Sequence, residues 1–209
     1  MSQSIPLNQI SPKHFDEETA RADIYGLLAA LFYAPPSAEL LAQIQQSPTQ
    51  PTEEAAFLPL SWGDLQECAR SLTLAEVQDE FNALFSGIGK PEVLLFGSHY
   101  LAGFLNEKPL VQLRTDLNRL GLERDPALPE TEDHISYLCE VMRYLIAGDD
   151  VGVANLTEQQ QFFSVHLLPW VRVMCETLAA HPRAHFYAQA AHFARAFFDV
   201  ESQAFDMMA

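Results

Sequence analysis

The apolar residues of this chain recur at helical spacing almost from end to end, and that periodicity most limits what the chain can fold into. Ile24, Leu27, Leu28, Leu31 and Phe32 form a stripe at i, i+3, i+4, i+7, i+8. Val77, Phe81, Leu84 and Phe85 form a second stripe, and Leu110, Leu113, Leu117 and Leu120 a third. Ile135, Leu138, Cys139, Met142, Leu145 and Ile146 make a fourth. Phe162, Phe163 and Val165 lead to Pro169, read as an interruption, and on to Trp170, Val173 and Met174; Phe186, Ala190, Phe193 and Phe197 close the series.

The punctuation between stripes agrees. Ala34–Ser37 (APPS) stops the first, because proline cannot continue a helix. Ser37 is a cap for a short helix carrying Leu40, Leu41 and Ile44, and Ser61 a cap for the next. Asp16, Glu17 and Glu18 suit the approach to the first helix. Thr73 with Glu76, and Thr157 with Gln160, have capping-box spacing. Gln46–Glu54 reads as a loop, and Ser86–Glu92 breaks the second stripe with two glycines and a proline. Pro109 suits a first helical turn, and Gly121 and Gly148 suit helix ends. Val93–Tyr100 is the least helical stretch and reads as extended or as a tight turn. The expected fold is all-α, a single helical-bundle domain over residues 1–209 with roughly nine to eleven helices. Two closely packed sub-lobes, 16–122 and 130–209, joined by the two-proline linker 122–130, are a variant of the same expectation.

Charge narrows the partners. Lys and Arg total 12 against 28 Asp and Glu, a formal net charge of -16. Such a surface repels nucleic-acid phosphates and anionic lipid. It attracts a basic protein or peptide, and it also serves simple solubility. The three cysteines, Cys68, Cys139 and Cys175, are far apart and form no C-x-x-C, so neither a disulfide framework nor a thiolate zinc site is expected. The opening MSQSIPLNQISPKHF has no basic region followed by an apolar one, unlike a signal peptide. No apolar run reaches the ~18–20 residues that span a bilayer. A cytoplasmic location with reduced thiols is expected.

Leu128–Met142 (LPETEDHISYLCEVM) concentrates the candidate chemistry in Glu130, Glu132, Asp133 and His134. Three readings are open. The acids can oppose the positive end of a helix dipole, each contributing about 0.3–1 kcal/mol. They can form a polar binding surface. They can also form an acid–base or metal site, the basis of an alternative reading as a metal-dependent hydrolase. Neighbouring helical residues point ~100° apart, so Asp133 and His134 need ligands from a second helix to close on one ion. The other histidines are scattered, and Pro182 separates His181 from His185. No H-E-x-x-H, phosphate loop or nucleophile elbow occurs, and Gly87–Lys90 (GIGK) is a turn too short to cradle a phosphate. No enzyme is expected on these grounds, and a general helical adaptor is a further alternative.

Three stretches together resemble the TorD/DmsD/NarJ family of molybdoenzyme-specific chaperones. FNALFSG, placing Phe81, Leu84 and Phe85, is similar to the family's aromatic-x-x-L-F segment. LLFGSHY, placing Phe96, Gly97, Ser98 and Tyr100, resembles its P-P-W-G-S-x-Y stretch, with Leu94 and Leu95 for the prolines and Phe96 for tryptophan. ETEDH matches E-P-x-D-H at Glu130, Asp133 and His134, with Thr131 for proline. Phe162–Trp170 and the stretch from His185 resemble the family's C-terminal helices, so the similarity runs roughly from Ile24 to Phe198.

The resemblance implies an all-helical chaperone, monomer or homodimer, that binds an apo-molybdoenzyme catalytic subunit, often through its basic twin-arginine leader, until molybdenum cofactor is inserted. Some members are associated with guanine nucleotide or cofactor delivery; with no phosphate loop here, no resident cofactor is expected. Carboxylates engage arginine in two-pronged charge-assisted hydrogen bonds, and Glu130, Glu132 and Asp133 are the expected source. Phe81, Leu84, Phe85, Phe96, Gly97, Ser98 and Tyr100 are the expected surroundings of an apolar groove. Phe81 and Phe85, at i and i+4, read equally well as core. His134 orients a carboxylate, bonds a peptide carbonyl, or pins the loop.

Overall fold

The apolar stripes become ten α-helices in the computed structural model, which describes residues 12–47, 57–86, 90–105 and 108–207. They are α1 (Pro12–Tyr33), α2 (Ala38–Gln46), α3 (Phe57–Ser71), α4 (Leu74–Phe85), α5 (Gly97–Ala102), α6 (Lys108–Arg119), α7 (Ile135–Ala147), α8 (Leu156–Phe162), α9 (Leu168–Ala179) and α10 (Phe186–Asp206). Among the described residues there is no β-sheet, only one isolated antiparallel bridge between Phe96 and His134. Among the described residues no helix is long and apolar enough to cross a membrane.

Several helix ends follow the sequence signals. Ser37 Oγ accepts the Leu40 N–H at 3.1 Å, and Thr73 and Glu76 form a reciprocal capping box. Gly121 takes φ +71°, with the Leu122 N–H on the Leu117 carbonyl and the Gly121 N–H on the Asn118 carbonyl. That is a Schellman end, which needs a residue tolerant of positive φ.

Other ends differ. The helix that Ser61 was expected to cap already starts at Phe57, so Ser61 sits inside α3 and donates to the Leu58 carbonyl. Asn155, not Thr157, caps α8 by accepting the Glu158 N–H; asparagine is the stronger N-cap and stands two residues earlier. Helix α1 begins at Pro12, so Asp16–Glu18 lie within it rather than ahead of it. Pro169 does not break the chain's helical course. Without an N–H, and with a ring that would strike the Val165 carbonyl, it is accommodated by one wide π turn at Phe163–Leu167 that joins α8 to α9. The expected loop at Gln46–Glu54 and turn at Gly87–Lys90 fall mostly outside the described residues.

The segments on either side of the 122–130 linker share one contiguous core. Helix α1 packs along α7, and α10 packs on α3, α4 and α9. Side chains such as Leu28, Phe32 and Phe163 are fully buried, each stabilising the fold by about 1.5–3 kcal/mol. Two polar clamps cross the same boundary. Arg21 of α1 grips Glu201 of α10 through both carboxylate oxygens, at 2.7 and 2.8 Å, and Tyr25 donates to Glu201 at 3.1 Å. Glu80 of α4 accepts the N–H groups of His185, Phe186 and Tyr187, capping α10 from another helix.

Candidate functional site

Backbone hydrogen bonds stitch the three family-like stretches together. The Val93 N–H donates to the Leu84 carbonyl at 3.0 Å, tying FNALF to the start of the second stretch. The Ile135 N–H donates to Leu95 and the Gly97 N–H to Asp133, both at 2.9 Å, tying the second stretch to the third. Phe96 is extended where it bridges to His134, and α5 starts only at Gly97.

Asp133 and His134 lie inside this junction. Asp133 is 3% exposed; its Oδ2 accepts the Ser98 N–H at 2.8 Å and its Oδ1 the Thr131 hydroxyl at 2.6 Å. Thr131, standing where the family stretch has proline, thus supplies a hydroxyl that fixes the carboxylate. His134 is the N-cap of α7: its Nδ1 accepts the Ser136 N–H at 3.3 Å, which places the ring proton on Nε2. Phe96 meets the imidazole edge-on at 5.0 Å. Burial pushes the His134 pKa down to about 4, against the opposing pull of Asp133, so the ring is neutral at pH 7.

The aromatic residues of the stretches also pack inward. Phe81 and Phe85 stand 5.0 Å apart and both contact Tyr187, while Leu84 is fully buried. Tyr100 stacks on Trp170 at 5.5 Å and donates to the Leu94 carbonyl. A Cβ at position 97 would stand 3.0 Å from Trp170 Nε1, so Gly97 is what lets α5 approach this indole. Gly97, Ser98 and Asp133 line a cavity of about 60 Å³ with His166, whose Nε2 lies 2.9 Å from Asp116.

The large opening lies beside this junction. A groove of about 550 Å³ runs between α1 (Ala29, Ala30, Tyr33), the linker (Leu122, Arg124, Leu128) and α7 (Tyr137, Val141, Tyr144). Its lining is mostly apolar, and the carboxylates of Glu123, Asp125, Glu132 and Glu140 stand around it. Of the residues singled out by sequence, Glu132 lines this groove; Glu130 is half-buried in the adjoining turn, its carbonyl accepting from Arg124. Burial would raise the Glu132 pKa, but hydrogen bonds from Arg114 and the charges of Arg114 and Arg124 outweigh this and hold it below the usual carboxylate range. Ser136 and Tyr137 also line the groove, and neither the Ser136 Oγ nor the Tyr137 hydroxyl has a hydrogen-bond partner of good geometry among the described residues. Among those residues no group of three or more His, Cys, Asp or Glu is placed to hold a metal ion.

The groove residues on α1 and α7 were not found from sequence. The available signal was on α7, where Tyr137, Val141 and Tyr144 make a second apolar stripe beside the core stripe, wider than a helix with one buried face needs.

A family model described as nitrate reductase delta subunit matches residues 52–176, which includes all three stitched stretches. The chain belongs to that family. Its relatives in the NarJ/TorD group include the chaperone protein TorD of Vibrio cholerae serotype O1 (strain ATCC 39541 / Classical Ogawa 395 / O395), 26% identical over 204 residues that cover 89% of this chain and 92% of the relative. The chaperone protein TorD of Psychrobacter sp. (strain PRwf-1) is 30% identical over 170 residues, covering 73% and 76%. As a TorD-family member the chain is a chaperone and not an enzyme. The Vibrio cholerae relative covers more of the chain than the family model's residues 52–176.

Proposed function

We propose that this TorD-family chaperone serves molybdoenzyme maturation in the cytoplasm, binding an apo-molybdoenzyme catalytic subunit through a basic and apolar segment such as a twin-arginine leader. It holds the subunit until molybdenum cofactor is inserted. The observation that carries this reading is the groove between α1, the linker and α7, apolar along its length and ringed by carboxylates. A leader of that kind presents guanidinium groups followed by an apolar run, and the groove offers a counterpart to each. The net charge of -16 favours approach of a basic segment.

Titration calorimetry with a peptide of two adjacent arginines and an apolar run tests the site. Ala30→Trp fills the groove from an exposed position and is expected to weaken binding at least about tenfold with the fold retained. Binding should also weaken as salt rises, because exposed charges are screened beyond ~8–10 Å. Undiminished binding by the Ala30→Trp variant would place the client elsewhere on the surface.

A further inference from the structure

Glu132, the groove carboxylate nearest the stitched junction, is already held by guanidinium groups, and they are the chain's own. Arg114 on α6 meets it with two prongs, Nε to Oε1 at 3.1 Å and Nη2 to Oε2 at 2.9 Å. Arg124 approaches the same carboxylate from the linker, with Nε 3.7 Å from Oε1. Its Nη1 donates to the carbonyls of Leu128 and Glu130. The chain has only 12 Lys and Arg in 209 residues, so two arginines converging on one carboxylate in the groove wall is a marked concentration. Glu132 is also well shielded there: its side chain is 13% exposed, against 46% for Glu140, which pairs with Arg143.

We propose that Arg114 and Arg124 stand in for a client's guanidinium groups, and that a basic client segment docks by exchanging its arginines for theirs on Glu132. The inference rests on the groove being the client site. The physical case has three parts. A shielded carboxylate left without a cation is strongly disfavoured, and guanidinium-for-guanidinium exchange keeps Glu132 paired in both the empty and the filled groove. Arg114, about half exposed, returns to water at little cost once displaced. The exchange also selects for chemistry: a planar two-pronged guanidinium can replace Arg114, whereas a lysine ammonium meets the carboxylate as a point charge and an apolar segment does not displace it at all.

An internal competitor lowers apparent affinity by the fraction of time it occupies the site, so removing it should tighten binding. The experiment is titration of the full chain with the twin-arginine peptide and with its Gln-Gln counterpart. Arg114→Gln is expected to bind the arginine peptide roughly three- to tenfold tighter, with no such gain for the Gln-Gln peptide. Arg119→Gln is the control. It makes the same charge change on the same helix but removes a partner of Glu158 rather than of Glu132, and it should stay within about twofold of the unsubstituted chain. Glu132→Gln should lose most of the preference for arginine over glutamine. Binding of the arginine peptide that Arg114→Gln leaves unchanged, or weakens, relative to Arg119→Gln overturns the exchange while leaving the groove assignment standing. Absence of binding by the unsubstituted chain and by every variant overturns both.

Discussion

Asp133 shows how a charged residue in a charged stretch comes to serve the interior. Its carboxylate joins the first turn of α5 to the turn before α7, accepting the Ser98 N–H and the Thr131 hydroxyl at once. Asp133→Ala leaves the Ser98 N–H unsatisfied in a buried site and is expected to cost about 2 kcal/mol in urea denaturation. His134 adds a pH dependence. Its pKa near 4 in the fold lies below the ordinary value of about 6.5, so the unfolded chain takes up the proton first. Its contribution is complete above about pH 6.5 and is lost as pH falls toward 4. Protonation would also put a donor on Nδ1, where the Ser136 N–H now donates. Denaturant midpoints measured from pH 7 to pH 4 should fall, and fall less steeply in His134→Asn. The acidity of Glu130–Asp133 was plain in the sequence; the burial of Asp133 was not, because it depends on residues 96–98, some 35 positions earlier, folding over it.

Among the elements, the helices were legible because each needs only its own periodicity and its own ends. Thr73, Ser37 and Gly121 act where local chemistry places them. Ser61 and Thr157 show the limit: both are acceptable caps, and the neighbouring chain made other choices. The start of α10 at Phe186 was legible, but its cap was not, since that cap is Glu80 on α4. Glu80→Ala removes the acceptor for three N–H groups and is expected to destabilise the protein by about 1–2 kcal/mol. Hydrogen exchange should report the loss first at the amides of His185, Phe186 and Tyr187. The groove was illegible for the same kind of reason. Ala29, Leu122 and Val141 belong to three elements, and nothing in any one of them marks their meeting.

For the molecule as a whole, the chain before the linker and the chain after it behave as one packed body around a shared core. The Arg21–Glu201 clamp is the polar expression of that, with Glu201 2% exposed. Glu201→Ala strands a guanidinium that is 17% exposed and is expected to cost about 3–5 kcal/mol, whereas replacing both partners with apolar residues should recover much of the loss. Thermal melting of the single and double variants measures the difference.

The three stitched stretches carry a last consequence. They carry the resemblance to the family, yet Phe81, Leu84, Leu95, Asp133 and His134 are buried and none of the stretches' aromatic residues lines the groove. They specify a frame and are silent about cargo. Cargo preference is then a transplantable property: it should travel with Tyr33, Leu122, Val141, Tyr144 and the arginines that guard Glu132, and two relatives sharing every signature residue are free to serve different clients.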